Sequence, residues 1–325
     1  MAAPGERQRI VALPTKGTNP PAQAGIALVT ALLVVSLATT AAAAMLSRQQ
    51  IDIARTENLL SSEQAYQYGL GVESWAAALL AVDRQNSDTD HLREAWATQL
   101  GPLTVEGGEV SGYTEDMQGR FNLNNLAEPE ENGVIAKERF ERLLGVVGVA
   151  PAVADAVADW LDTDNEARSP NGAEDAAYLS EQPAYRAANG KLVSVSELRL
   201  VKGVTEELYE ALAPYIAALP VVTPVNVNTA PIPVLMSLIP GLSDSQAKSL
   251  VGARGETGFA SVEEFLAEVS LLGGQGNSQG LAVASDYFQT RGDVTLGRAR
   301  VRLTSLFQRL PRGLPKVIMR SEAGE

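Results

Sequence analysis

A long run of apolar residues begins near the N-terminus. Gly25–Leu46, which reads GIALVTALLVVSLATTAAAAML, contains no charged side chain. At a rise of about 1.5 Å per residue, a helix of this length extends roughly 33 Å, which is close to the thickness of the hydrocarbon core of a bilayer. The run therefore predicts a helix that spans a membrane.

The more polar sequence that follows keeps the spacing of a helix. Five large apolar side chains recur with gaps of four, three, four and three residues, and these are Tyr68, Val72, Trp75, Leu79 and Val82. This spacing places them on one face of a helix, and after Ile26 the next proline is Pro102. We therefore predict one continuous helix from Ile26 to about Asp83, apolar all round in its first half and amphipathic in its second.

The charges that precede the run predict its orientation. Residues 1–24 carry three Arg or Lys residues and a single Glu, so the positive-inside rule leaves them in the cytoplasm and exports the rest of the chain. A secretory signal peptide is the alternative. Its apolar region would be Ile26–Ala38, and Ala41 and Ala43 would provide the small residues of its cleavage site.

Short strands occur in two groups on either side of a long middle segment. The predicted strands are Leu103–Val105, Glu109–Glu115, Tyr287–Leu296, Arg298–Gln308 and Lys316–Arg320. Glu106-Gly107-Gly108 is a turn signal between the first two, and Gly297 separates the third from the fourth. Arginines alternate with apolar residues from Arg298 to Leu303, as in a strand with one solvated face. The pattern predicts a small antiparallel sheet.

The middle segment, from about 130 to 280, is predicted to be largely helical. The main predicted helices are Phe140–Val149, Pro151–Leu161, Val195–Leu200, Thr205–Leu212 and Asp244–Arg254. Pro220–Pro224 is the predicted linker between two units. In the second unit, Thr229 or Ala230 would cap a helix, and Ile239–Leu242 would be the hairpin of a helix-hairpin-helix repeat.

Composition narrows the possible functions. The 325 residues carry a formal net charge of −13, which is a poor match to the basic surface that binds nucleic-acid phosphates. The chain has no cysteine and one histidine, His91, which excludes thiol chemistry and His-rich metal sites. Acidic residues surround the predicted hairpin, so we interpret it as a protein-contact module rather than as a phosphate site. We predict no enzymatic activity.

One segment has the composition of a metal site. Six acidic residues fall within 17 positions, and these are Asp159, Asp162, Asp164, Glu166, Glu174 and Asp175. Oxygen ligands at this density suit calcium, which takes about six to eight of them, and carboxylates so close together repel one another without a cation. The predicted calcium ligands are Asp162, Asp164, Glu166, Glu174 and Asp175. A solvated acidic turn is the alternative.

The spacing of these acids begins like an EF-hand loop and then departs from it. Asp162, Asp164 and Glu166 match its first ligands, but Ala167 stands where the turn requires glycine, and Ala173 where the bidentate glutamate belongs. We therefore predict an irregular calcium loop. Paired carboxylates also occur in glycosidases, but no aromatic sugar platform accompanies these.

The N-terminus resembles that of pilins and pseudopilins. These proteins carry a short basic leader that ends in glycine, and a dedicated peptidase cuts after it; the matching bond here is Gly25–Ile26. Most of them have glutamate at the fifth mature position, where this chain has Thr30. A carboxylate in hydrocarbon costs about 3 kcal/mol unless it is paired, and a subunit that starts a fibre has no neighbour ahead to pair with it. Thr30 therefore narrows the resemblance to the K-type minor pseudopilins of type II secretion, which also lack this glutamate.

Further segments carry the same resemblance in order along the chain. They are Arg48–Ala76, Gly119–Leu126, Asp159–Asp164, Gly172–Leu179, Tyr185–Gly190, Ser196–Val204 and Val225–Ala230. The resemblance implies an α+β fold in which a pilin-like long N-terminal helix packs on a small antiparallel sheet. It also implies a large α-helical insertion made of two SAM-like or helix-hairpin-helix-like units.

This fold divides the chain into six predicted segments. They are a cytoplasmic prepilin leader (1–25), the transmembrane half of the helix (26–47), its periplasmic half with the first strands (48–127), the first SAM-like unit (128–222), the second unit (223–282) and the closing strands (283–325).

The resemblance also implies a function and a location. The chain would be an inner-membrane protein with a single span and a periplasmic head, at the tip of the pseudopilus, where it initiates or caps assembly for protein export. It would be a substrate of prepilin peptidase, bind calcium, and contact I-, J- and H-type minor pseudopilins, with secreted cargo or the outer-membrane secretin as further partners and no nucleic acid. Two alternatives stay open: a membrane-tethered DNA-binding receptor that uses the helix-hairpin-helix-like unit, and a periplasmic hydrolase released by signal peptidase.

Overall fold

The first element of the structure is one long helix. The computed structural model describes residues 21–324, so residues 1–20 of the predicted leader lie outside the described residues. Helix α1 extends over Pro21–Asn86, which confirms the predicted continuous helix. The described residues up to Leu60 form one compact unit, and those from Ser61 onward form another.

The described part of the first unit is the apolar beginning of α1. An 18-residue window in this helix has a mean hydropathy of 2.2, and none of that window is buried. The length and composition fit a single membrane span. Within it, the hydroxyl of Thr30 donates hydrogen bonds to the carbonyl oxygens of Ile26 and Ala27, both at 3.0 Å, so the polar group is satisfied by its own helix.

The second unit is built around a five-stranded antiparallel sheet, as predicted. Its strands are β1 (Leu100–Val105), β2 (Gly108–Asp116), β7 (Tyr287–Leu296), β8 (Ala299–Gln308) and β9 (Lys316–Gly324). Their spatial order is β1-β2-β7-β8-β9, and every neighbouring pair is antiparallel. The chain leaves the sheet after β2 and returns at β7, so everything between them is an insertion.

The second part of α1 packs on this sheet, and every residue of the predicted apolar face except the last takes part in the contact. Tyr68, Trp75 and Leu79 pack against the core as partly buried side chains, whereas Val82 is 55% exposed. The buried positions of this part of the helix are Ala65, Gly69, Val72, Ala76, Leu80 and Ala81. A Cβ atom added to Gly112 would lie 2.7 Å from Val72 Cγ1, and one added to Gly292 would lie 3.2 Å from Val72 Cβ. The apolar spacing therefore located the contact face, but it did not include Gly69 and Ala76, whose small size allows so close an approach of helix and sheet.

The insertion contains most of the remaining helices. They are α2 (Glu130–Val146), α3 (Val153–Leu161), α4 (Asp175–Tyr178), α5 (Glu206–Leu212), α6 (Ile232–Leu238), α7 (Asp244–Ala253) and α8 (Val262–Leu271). Ser194–Leu200 forms a capped 3-10 turn where a helix was predicted. Helix α2 begins ten residues before the predicted start at Phe140. Its first turns were not predicted because they are largely polar and carry little apolar pattern.

Two short parallel strand pairs tie the insertion together. Strand β3 (Phe121–Asn122) pairs with β4 (Ile216–Ala217), and β5 (Val225–Asn226) pairs with β6 (Leu281–Ala282). The mixed helix-and-sheet class, the long N-terminal helix and the antiparallel sheet are therefore confirmed, and the SAM-like character of the two units stays a prediction.

Asparagines hold the predicted linker in place. Asn122 Nδ2 donates to Val221 O at 2.8 Å, Asn125 Nδ2 donates to Thr223 O at 2.8 Å, and Thr223 N donates back to Asn125 Oδ1 at 3.1 Å. The backbone polar groups of an irregular segment are satisfied in this way when no sheet or helix does so. Residues 220–224 are therefore a fixed connection.

Buried Asp116, at the end of β2, joins the sheet to the insertion. Its Oδ2 accepts hydrogen bonds from Thr229 Oγ1 at 2.6 Å, from Ser285 Oγ at 2.7 Å and from Asn226 Nδ2 at 3.0 Å. Thr229 is therefore engaged here and does not cap α6, whose N-cap is Pro231. Burial raises the pKa of Asp116 to about 6, against the hydrogen bonds that lower it.

We predict that Gly112→Ala destabilises the protein, whereas Gly71→Ala stabilises it. The first methyl group meets Val72 and the backbone of β7, and overpacking of this kind costs about 1–3 kcal/mol. The second meets no atom within 4 Å and gains about 1 kcal/mol of helix propensity. Urea unfolding of the full chain in nanodiscs measures both changes, and equal effects would contradict the proposed close contact.

The free energy of unfolding of the wild type, minus that of Asp116→Asn, is expected to fall as the pH rises from about 4 to about 7. The folded state holds the Asp116 proton to a higher pH than the unfolded chain does, so ionisation destabilises the wild type over this range. The variant lacks that ionisation, and the other titrating groups are common to both proteins. Urea unfolding of both proteins at the two pH values provides the test. A difference in the free energy of unfolding that stays constant or rises with pH would refute the prediction.

Candidate functional site

The acidic residues follow the end of α3, where Asp159 anchors the loop. Asp159 Oδ2 accepts hydrogen bonds from Ala173 N at 2.8 Å and from Arg168 N at 3.0 Å. Gly172 passes so close that an added Cβ would collide with this carboxylate and with the backbone of Arg168. The fully buried carboxylate therefore folds the loop back onto α3.

Three of the five predicted ligands converge on one point. Asp162, Asp164 and Glu174 each offer a carboxylate oxygen, and these oxygens lie within 4.8 Å of one another. Glu174 is 6% exposed, and both of its carboxylate oxygens are buried without a hydrogen-bond partner among the described residues, as is Asp162 Oδ1. A buried carboxylate without partners is costly, so this arrangement fits a cation.

The charge balance points the same way. Asp159, Asp162, Asp164 and Glu174 face one guanidinium, that of Arg168, whose Nη2 lies 2.9 Å from Asp162 Oδ2. Its Nε lies 3.0 Å from Asp159 Oδ1. Desolvation and then the neighbouring aspartates raise the pKa of Glu174 to about 7. A single arginine therefore does not neutralise the cluster.

The other two predicted ligands lie outside this cluster. Glu166 is exposed, and only its backbone N–H takes part, by donating to Asp164 Oδ1 at 2.8 Å. Asp175 starts α4 and faces away, with Oδ2 at 2.8 Å from Arg186 Nη1 and Oδ1 accepting from Ala187 N at 3.2 Å. The spacing of an EF-hand loop would place its glutamate at position 173, whereas the buried glutamate of this loop is the next residue, Glu174.

Asn189 is a candidate ligand that the sequence analysis missed. Its Nδ2 donates to Asp164 O at 2.9 Å, while its Oδ1 is buried without a partner among the described residues. It lies 25 residues from Asp164, so local spacing could not connect them. Its positive φ of 45° is a conformation that asparagine tolerates, and the Asn-Gly pair at 189–190 is the available sequence signal.

A second acidic group lies near the end of α1 and already has a counter-ion. Asp83, Asp90 and Glu94 come within 4.8 Å of one another. Arg309 donates to Asp83 Oδ2 at 2.9 Å and to Asp90 Oδ1, and Glu94 Oε2 accepts from Trp96 Nε1 at 2.6 Å. His91 is half-buried with Nε2 at 3.5 Å from Glu94. This group joins the end of α1 to Arg309, the residue that follows β8.

The two cations of the helix-hairpin-helix-like unit already have partners within the unit. Lys248 pairs with Asp244 at 2.6 Å, and the buried Arg254 donates to Ala230 O. The N-terminus of α7 is closed by a capping box of Ser243 and Gln246. Among the described residues of this unit, one cation is therefore paired with a neighbouring carboxylate and the other is buried, and no basic patch is left to meet phosphates.

The fold defines a pilin-type protein, in which a long N-terminal helix begins as an apolar span and then packs on an antiparallel sheet. The family described as type II secretion system (T2SS), protein K matches residues 119–221 and 225–284. The chain belongs to this family of minor pseudopilins. The prediction from the resemblance is confirmed, and the comparisons do not support the DNA-binding receptor.

Individual relatives match most of the chain. The type II secretion system protein K of Pseudomonas aeruginosa is 41% identical over 92% of this chain and 92% of its own length. That of Klebsiella pneumoniae is 37% identical over 88% and 93%. The solved GspK-GspI-GspJ complex from enterotoxigenic Escherichia coli contains a chain with a TM-score of 0.72 and 27% identity, which covers 83% of this chain and 99% of that one.

We predict that Gly172→Ala destabilises the acidic loop, whereas Gly190→Ala does not. At position 172 the methyl group displaces the Asp159 carboxylate, at an expected cost of about 1–3 kcal/mol. At position 190 it meets one carbonyl oxygen at the ordinary distance of 3.6 Å, so a change within about 0.5 kcal/mol is expected. Urea unfolding in the presence of a chelator compares the two variants, and a tolerated Gly172→Ala would contradict the role given to Asp159.

Proposed function

We propose that this chain is an inner-membrane subunit at the tip of the periplasmic pseudopilus, where it initiates or caps assembly during type II secretion. The observation that supports this most directly is the neutral fifth position after Gly25. Thr30 satisfies its hydroxyl with its own helix and needs no partner from a subunit ahead. A first subunit has no such partner, and an unpaired carboxylate there would be costly in the membrane.

The proposed partners are the I-, J- and H-type minor pseudopilins. The related E. coli chain was solved in a complex with GspI and GspJ, which supports the first two. The insertion of about half the chain, between β2 and β7, would give the subunit a head too large for another subunit to add above it. We assign it a scaffolding role rather than an enzymatic one, with cargo or the secretin as further contacts.

Processing at Gly25–Ile26 tests the membrane arrangement. The leader would remain in the cytoplasm, and prepilin peptidase would release a mature chain that begins at Ile26. Intact mass and N-terminal sequencing of protein from membranes should give this start, and Gly25→Val should leave the chain uncut because it removes the small residue before the bond. A start after Ala43 or Ala44 would instead indicate signal peptidase and a released head.

We further propose that the acidic loop binds calcium. The proposed ligands are Asp162, Asp164, Glu174 and the side-chain oxygen of Asn189, with Asp159 as the residue that positions the loop. The unpartnered buried oxygens of Asp162, Glu174 and Asn189 support this. Calcium accepts an irregular set of oxygen ligands, whereas magnesium demands near-octahedral geometry. The ion would supply the positive charge that Arg168 alone does not.

Removal of calcium is predicted to lower the thermal unfolding midpoint of the full chain. The double variant Asp162→Ala with Asp164→Ala should lose this difference, because it removes two ligands. Glu166→Ala is the matched control from the same loop, and its exposed side chain predicts an unchanged response. The indole of Trp160, which packs at 5.1 Å from Tyr178, should sensitise luminescence from Tb³⁺ bound in place of calcium. The absence of any chelator effect in the wild type would refute the proposal.

A further inference from the structure

A groove lies between the outer face of the sheet and the insertion. It consists of two cavities of about 270 and 490 Å³, which share Val193, Ala218, Leu306 and Met319 in their walls. The opposite face of the sheet packs against α1. We call this feature the sheet–insertion groove.

The walls of the groove expose apolar side chains. Val193 is 71% exposed, Val221 47% and Met319 37%, and all three line it. Ile318 and Leu306 form its floor on the sheet side. Apolar side chains clustered around a concavity, rather than scattered singly, mark surfaces that bind a partner.

The charge of the groove is opposite to that of the chain. Acidic residues outnumber basic ones by 39 to 26, yet none of the described residues that line either cavity is acidic. Lys191 lines the larger cavity, and its Nζ has only Pro220 O, at 3.5 Å, as a partner among the described residues. Lys316 lies opposite Gln308, another lining residue, on the neighbouring strand. The smaller cavity is lined by Arg120, which pairs with Glu115 at 3.1 Å.

We propose that the sheet–insertion groove binds an extended segment of another protein in which apolar residues alternate with acidic ones. The cavities would receive the apolar side chains, and Lys191 and Lys316 would meet the carboxylates. The segment before Gly25 is not the proposed occupant, because it has an excess of positive charge and the lysines at the groove would repel it. This proposal does not depend on the assignment to the pseudopilus tip.

Fluorescence anisotropy of labelled pentapeptides on the full chain in nanodiscs tests this proposal, with empty nanodiscs as the blank. The probe Leu-Asp-Phe-Asp-Leu is expected to bind about tenfold more tightly than Leu-Lys-Phe-Lys-Leu or Ser-Asp-Ser-Asp-Ser, because only it offers both charge and apolar complementarity. Equal binding of the three peptides, or no binding up to about 1 mM, would overturn the proposal.

Variants of the groove give an independent test. Val193→Asp and Val221→Asp should each weaken the probe about tenfold, and Lys191→Glu should reverse the preference between the aspartate and lysine peptides. Leu271→Asp, at an 80% exposed position that does not line the groove, is the matched control. An unchanged thermal midpoint shows that each variant is folded. Self-association of the wild type that Val193→Asp abolishes would show that a second copy occupies the groove, and would also overturn the proposal.

Discussion

The close contact between α1 and the sheet is the constraint on which the rest of the second unit depends. Val72 packs against Gly112 and Gly292, and a Cβ atom added to Gly69 would lie 3.2 Å from Leu303 Cβ. Side chains larger than these would separate the helix from the strands. Because β2 and β7 are both held in this way, the two points where the chain leaves and re-enters the sheet are also fixed. The insertion is therefore attached to a rigid base.

Buried polar groups, together with an apolar cluster that includes Leu219 and Leu306, attach the insertion to that base. Asp116 at the end of β2 accepts hydrogen bonds from both sides of the junction, and Asn122 and Asn125 hold the connection at 220–224. Such bonds require correct distance and direction, and an unsatisfied buried partner costs about 1–3 kcal/mol. They consequently specify a single position of the insertion on the sheet, and that position forms the walls of the sheet–insertion groove.

The sequence predicted the elements that have a strong period and missed those that depend on distant partners. Strand β7 was predicted to the residue, and α1 to within a few residues, because apolar spacing and the absence of proline are local signals. The large apolar side chains located the contact face of α1, but they did not reveal that Gly69 and Ala76 are buried to suit a sheet formed more than thirty residues later. The acidic loop was located from composition alone, but Asn189 joins it across 25 residues, and only the fold brings the two together.

The fold of the acidic loop brings carboxylates into positions where a bound cation would stabilise them. The segment between α3 and the turn at Ser194 contains a single short helix, α4, so most of its backbone has no regular hydrogen-bonding partner. Asp159 closes its first part through two backbone N–H groups, and Asn189 closes its end onto Asp164. Both closures bring carboxylates together, and that repulsion opposes the same loop geometry. A divalent cation at Asp162, Asp164 and Glu174 would replace the repulsion between these carboxylates by attraction to the ion. The same charges that oppose the loop geometry would then stabilise it.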